Sequence, residues 1–184
     1  MGEILHLGAL APAAIGACCI AADRRRSRVP ELAASVLMLV AMVDVVLGGA
    51  VAPVAWAAAL IVAAIGLAAV RGRAARSRAG RGEGAAVIPS TVMTLHATVG
   101  LVVMAALVLA MIPDASAGTP VGGHHGSGAP FGPVAATSAL LFGLVSVIAA
   151  RGRHGGGART SVLERWQLIA MGASTAAMGV ALLA

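Results

Sequence analysis

The chain has 184 residues, of which 59% are hydrophobic and 11% charged, against about a quarter charged in a soluble domain of this size. Its pI near 11.5 invites a nucleic-acid reading. That reading is excluded, because all 13 positive charges are arginines confined to short islands between apolar runs and only two Trp, two Phe and no Tyr are available to stack on bases.

Six segments meet the length of about 20 apolar residues needed to cross a bilayer, so the expected fold class is all-α, a polytopic transmembrane bundle forming one integral membrane domain. The first covers residues 4–22 and contains His6 and the adjacent pair Cys18 and Cys19. Nothing in the spacing of two neighbouring cysteines suggests a disulfide framework or a zinc site, and they read as small core residues. No basic region precedes this run, so it is expected to be a helix rather than a cleaved signal. The second and third segments, 31–47 and 51–70, are nearly continuous, interrupted by Gly48, Gly49 and Pro53. As one straight helix they would overshoot a hydrocarbon core of about 30 Å. Gly-Gly followed by Pro reverses a chain, and a tight helical hairpin is predicted. The fourth segment, 87–112, carries Met93, His96, Met104 and Met111. The fifth, 133–150, is Ala/Leu/Val-rich, and the sixth, 163–184, carries Trp166, Met171 and Met178. The long runs, without polar alternation, exclude a β-barrel.

The arginines lie in alternate connections. Arg24, Arg25, Arg26 and Arg28 precede the second segment. Arg71, Arg73, Arg76, Arg78 and Arg81 follow the third, and Arg151, Arg153, Arg159 and Arg165 follow the fifth. The stretch from Pro113 to Gly132 has none. Positive charge marks the cytoplasmic side. The arginine loops are therefore expected inside, both termini outside, and the protein in the plasma membrane. Trp166 then falls at the inner interface and Trp56 near the outer one. The Gly-rich stretches 71–86 and 117–130 read as flexible loops.

Polar groups inside lipid are costly and are the first functional suspects. Asp44 and His6 both fall within about 3–6 Å of the outer ends of their helices at a rise of 1.5 Å per residue, and are expected to form an outer polar pair. His96, Met38 and Met171 lie at a common depth of about 10–12 Å from the inner side by the same rise. Met42, Met104 and Met178 form a second layer further out. Thioether and imidazole suit Cu(I), so this ladder is a candidate soft-metal path. His124 and His125 on the outer loop would be its point of capture. The alternative is that the methionines are adaptable packing residues. A haem held by His6 and His96 is excluded by a depth difference of about 15 Å. There is no HExxH, Walker loop or paired-carboxylate motif to indicate an enzyme. The segment Gly172-Ala173-Ser174-Thr175-Ala176 resembles the serine stretch of rhomboid proteases, but His96 precedes it, the reverse of that family's order, and it reads as a packing stretch.

Arg28-Val29-Pro30-Glu31 followed by Met38, Met42 and a short hairpin, then His96 and Met104, then Met171 and Met178, resembles an uncharacterised actinobacterial multi-pass membrane family, domain of unknown function family 5134. The resemblance spans nearly the whole chain and implies a six-helix fold with no assigned activity. Two function classes follow from the residues. One is binding or transport of a soft ion, with copper as the ligand. The other is a non-catalytic structural or accessory subunit, whose small-residue helices pack on a membrane-protein partner.

Overall fold

The structure is a computed structural model and describes residues 8, 10–18, 29–80, 89–112, 131–151 and 162–183. Among these there are six helices and no strands. We label them α1 (residues 10–18), α2 (Val29–Leu47), α3 (Pro53–Ala79), α4 (Pro89–Ala110), α5 (Phe131–Arg151) and α6 (Val162–Leu183). Proline opens α3 and α4, where its missing N–H has no intrahelical partner to lose and its φ is already helical. Five helices, α2 to α6, are long and apolar enough to cross a membrane.

The helix ends can be ordered from side-chain contacts. Glu31 at the start of α2 meets Thr94 at the start of α4. Met93 of α4, Ala150 at the end of α5 and Leu168 early in α6 pack in one small cluster. Pro30 of α2 and Val70 of α3 line one groove. The starts of α2, α4 and α6 and the ends of α3 and α5 therefore share one end of the bundle. Arg71, Arg151 and Arg165 lie at that end, so the described arginine-bearing connections converge as their alternation in sequence predicts.

α3 runs 27 residues, nine beyond the predicted end at residue 70. At 1.5 Å per residue it is about 40 Å long, some 10 Å more than the hydrocarbon core. Its last turns carry Arg71, Arg73 and Arg76 out of the apolar layer. Ala and Arg are strong helix formers, and Gly72 alone does not break the helix. It ends at Gly80, whose N–H bonds the carbonyl of Arg76 at 3.1 Å. The first half of the predicted 71–86 loop is thus helical.

The α2–α3 reversal is built on glycine. Gly48 and Gly49 have φ of 114° and 64°, values that L side chains rarely adopt. Gly49 N–H bonds the carbonyl of Asp44 at 2.8 Å, the six-to-one bond of a Schellman cap.

α4 is the central helix, in contact with α2, α3, α5 and α6, and 61% of its apolar span is buried against 22% for α3. Large apolar side chains point outward around the bundle, including Val62 and Ile65 of α3, Leu95 and Val102 of α4, and Leu141 and Ile148 of α5. A soluble monomer does not expose such continuous apolar faces; a bilayer solvates them. The chain is a multi-pass integral membrane protein.

Lipid tails are as apolar as leucine, so the bundle is held by close packing rather than by a hydrophobic gain. The α5–α6 seam shows how. A Cβ built on Gly172 would stand 2.5 Å from Ser146 Cβ, one on Gly143 would stand 2.9 Å from Ala176 Cβ, and one on Gly179 would stand 2.9 Å from Ala139 Cβ. The antiparallel backbones approach because these three glycines face small residues.

Candidate functional site

All six members of the predicted ladder are buried: Met38, Met42, Met104, Met171, Met178 and His96. The five methionines, from α2, α4 and α6, belong to one contiguous core cluster. Met93 is buried as well but lies in the separate cluster at the arginine end, and Met111 is half-buried at the edge of the main core.

Gly100 gives this core its local geometry. It stands four residues from both His96 and Met104 on α4, so all three share a helix face. A Cβ at Gly100 would lie 3.1 Å from Phe142 Cζ and 3.6 Å from the Met171 methyl. The absent side chain leaves the space that the Met171 thioether and the Phe142 ring fill. Gly16 of α1 repeats the arrangement from the other side, its Cβ direction meeting Ala170 and the Met171 side chain. Met171 is thus wedged between two glycine positions on α1 and α4, and Gln167 Nε2 approaches its sulfur at 4.0 Å.

His96 stacks on Phe142 with ring centroids 4.4 Å apart and planes 21° from parallel. Its Nε2 lies 3.4 Å from Ser146 Oγ. Ser146 donates its proton to the Phe142 carbonyl at 2.6 Å. An imidazole is among the commonest metal ligands, through either ring nitrogen.

Several buried polar groups around this core were not singled out in the sequence. Thr94 Oγ1 donates to Glu31 Oε1 at 2.9 Å, bridging α4 and α2. Glu164 and Gln167 of α6 are buried, as is Ser35 of α2. Among the described residues, Ser35 Oγ is buried with no hydrogen-bond partner. Ser174 and Thr175 both donate to the Met171 carbonyl, at 3.0 and 2.9 Å. That use of its hydroxyl makes Ser174 a packing residue. The spacing Glu31-x-x-x-Ser35-x-x-Met38 and Glu164-x-x-Gln167-x-x-x-Met171 aligns these groups with methionines on single helix faces, a signal present in the sequence.

Asp44 occupies a different site, at the hairpin end. Its Oδ2 accepts from Trp56 Nε1 at 2.7 Å and from Val51 N–H at 3.2 Å, and its Oδ1 accepts from Ala50 N–H at 3.0 Å. A carboxylate in the last turn of a helix opposes the macrodipole. Here three donors compensate it, and it clasps the turn. The expected partner His6 lies outside the described residues, as do His124, His125 and Cys19; Cys18 is exposed.

Among the described residues no group of three or more His, Cys, Asp or Glu side chains gathers as a metal site, so any ion in the core would depend on thioethers. Compared with family models, curated proteins and solved structures, the chain finds no match.

Proposed function

We propose that this membrane protein binds Cu(I) within its helical core, through His96 and Met171 with Met38 beside them, and with Met42, Met104 and Met178 as the adjoining layer. The observation that carries the reading is that every thioether of the predicted ladder faces the core instead of lipid. A soft monovalent ion prefers thioether and neutral imidazole to water. His124 and His125 would deliver the ion from the outer side. The arginine end faces the cytoplasm in this proposal, because arginine excess marks that side, and the membrane is the plasma membrane. The resemblance to the actinobacterial family of unknown function stands as part of the same proposal.

The test is anaerobic loading of the detergent-purified chain with Cu(I), followed by metal analysis. About one copper per chain is expected for a single inner site of soft ligands. Met171→Leu preserves volume while removing the sulfur, and should lower the bound copper; His96→Ala should abolish it. Finding no copper in the wild-type chain would overturn the proposal.

A second reading is favoured by α3, whose apolar span is only 22% buried and which presents Val54, Val62 and Ile65 outward. In that reading the chain is an accessory subunit that packs α3 on another membrane protein. A stoichiometric protein partner in metal-free preparations would select it.

A further inference from the structure

At the arginine end, α2 and α3 do not close on each other. An apolar groove of about 240 Å³ lies between them. Ala34 on α2 and Ala63 and Gly66 on α3 create it by being too small to meet across the seam. Pro30 and Val70 flank its mouth, and Leu37 its deep end. From Pro30 to Leu37 is seven residues, about 10 Å along the helix, or a third of the hydrocarbon core.

Positive charge continues the groove's α3 wall. Ala63, Gly66 and Val70 form a stripe on α3, and the next position at helical spacing is Arg73. Arg73 and Arg76 are exposed on the part of α3 that projects beyond the apolar layer. An apolar slot about two-thirds of a leaflet long, followed on the same α3 stripe by the exposed Arg73, is complementary to a lipid with an apolar chain and an anionic head.

We propose that the α2–α3 groove is a binding site for an anionic phospholipid, which lays one acyl chain between Ala34 and Gly66 and sets its phosphate at Arg73. Guanidinium is suited to phosphate because its planar fork offers paired donors. Ala34 and Leu67 of its lining belong to the same core cluster as the methionines, but among the described residues no methionine or histidine lines the groove.

The experiment uses the full chain in mild detergent, with native mass spectrometry after titration with phosphatidylglycerol or phosphatidylcholine of matched acyl chains. One phosphatidylglycerol per chain should be retained in preference to phosphatidylcholine. Gly66→Leu should displace it; Gly66 lines the groove and nothing lies within 4 Å of a Cβ at that position, so the added side chain starts in open space. Arg73→Ala should lower the preference for phosphatidylglycerol about fivefold, the factor equivalent to roughly 1 kcal/mol per arginine near an anionic surface. Equal retention of the two lipids by the wild-type chain would overturn the proposal. So would unchanged phosphatidylglycerol retention in Gly66→Leu, or a dimer that Gly66→Leu dissociates, which would assign the groove to a second copy of the chain.

Discussion

The indole N–H of Trp56 donates to the carboxylate of Asp44 across the α2–α3 turn, at 2.7 Å. With the Ala50 and Val51 amides, it turns an acidic residue that opposes its own helix dipole into the clasp of a hairpin. Trp56→Phe should therefore lower the melting temperature of the detergent-solubilised chain, and Asp44→Ala should lower it further, since the two backbone donors then lose their acceptor. Because the residues share one interaction, the double variant should lose less than the sum of the singles. Trp166→Phe, at an exposed position of α6, is the control. Additive losses for Asp44 and Trp56 would show that the clasp does not couple them.

The α5–α6 seam should be intolerant of a single methyl. Gly172→Ala places a Cβ 2.5 Å from Ser146 Cβ, and overpacking of this kind costs about 1–3 kcal/mol. Gly143→Ala meets backbone at 3.0 Å as well as Ala176 and should cost a similar amount. By contrast Gly66→Ala meets nothing within 4 Å and should gain up to about 1 kcal/mol of helix propensity. Thermal unfolding in one detergent ranks the three; a neutral Gly172→Ala would contradict the packing described.

Thr94→Val removes the hydroxyl that bridges Glu31 while keeping the shape. Glu31 is half-buried, so losing this hydrogen bond costs about 1 kcal/mol, and the variant should melt lower than the wild type. Glu31→Gln retains an acceptor oxygen for the Thr94 hydroxyl and should be milder. A Thr94→Val chain as stable as wild type would mean that the α2–α4 bridge contributes nothing.

Orientation is open to direct labelling. In a background without Cys18 and Cys19, cysteines are introduced singly at Ser77, exposed on the projecting end of α3, and at Ser127. An impermeant thiol reagent applied to intact cells should reach position 127 and not 77. Labelling of 77 alone would invert the proposed topology.

If the core holds Cu(I), the inner and outer histidines should separate by readout. His124→Ala combined with His125→Ala should slow loading from outside and leave the final copper content unchanged. Ser146→Ala should weaken binding without abolishing it, because the serine orients His96 and does not itself touch the ion. Loss of all copper in the His124/His125 variant would relocate the site to the loop.

Much of the architecture is dictated locally and was legible in the residues. About twenty apolar residues with no charge have one low-energy state in a bilayer, a helix that satisfies its own backbone, so the five long apolar helices α2 to α6 and the Gly48-Gly49 reversal follow from runs and breakers alone. The arginine alternation predicted which helix ends share a side, because each crossing inverts direction. What the residues did not reveal is how the helices rotate about their axes. In water a polar stripe marks the outward face, but here lipid-facing and buried positions are equally apolar, and the difference between them lies in size. That is why Gly100, Gly143 and Gly172 looked like any other small residues until α4, α5 and α6 were placed around them, and why the end of α3 was set too early, at its first arginine. The burial of Met38, Met104 and Met171 in one core, the stacking of His96 on Phe142, and the pairing of Asp44 with Trp56 all depend on inter-helix registers. Those registers are decided by where small side chains let two backbones approach, a property of helix pairs that no single segment contains.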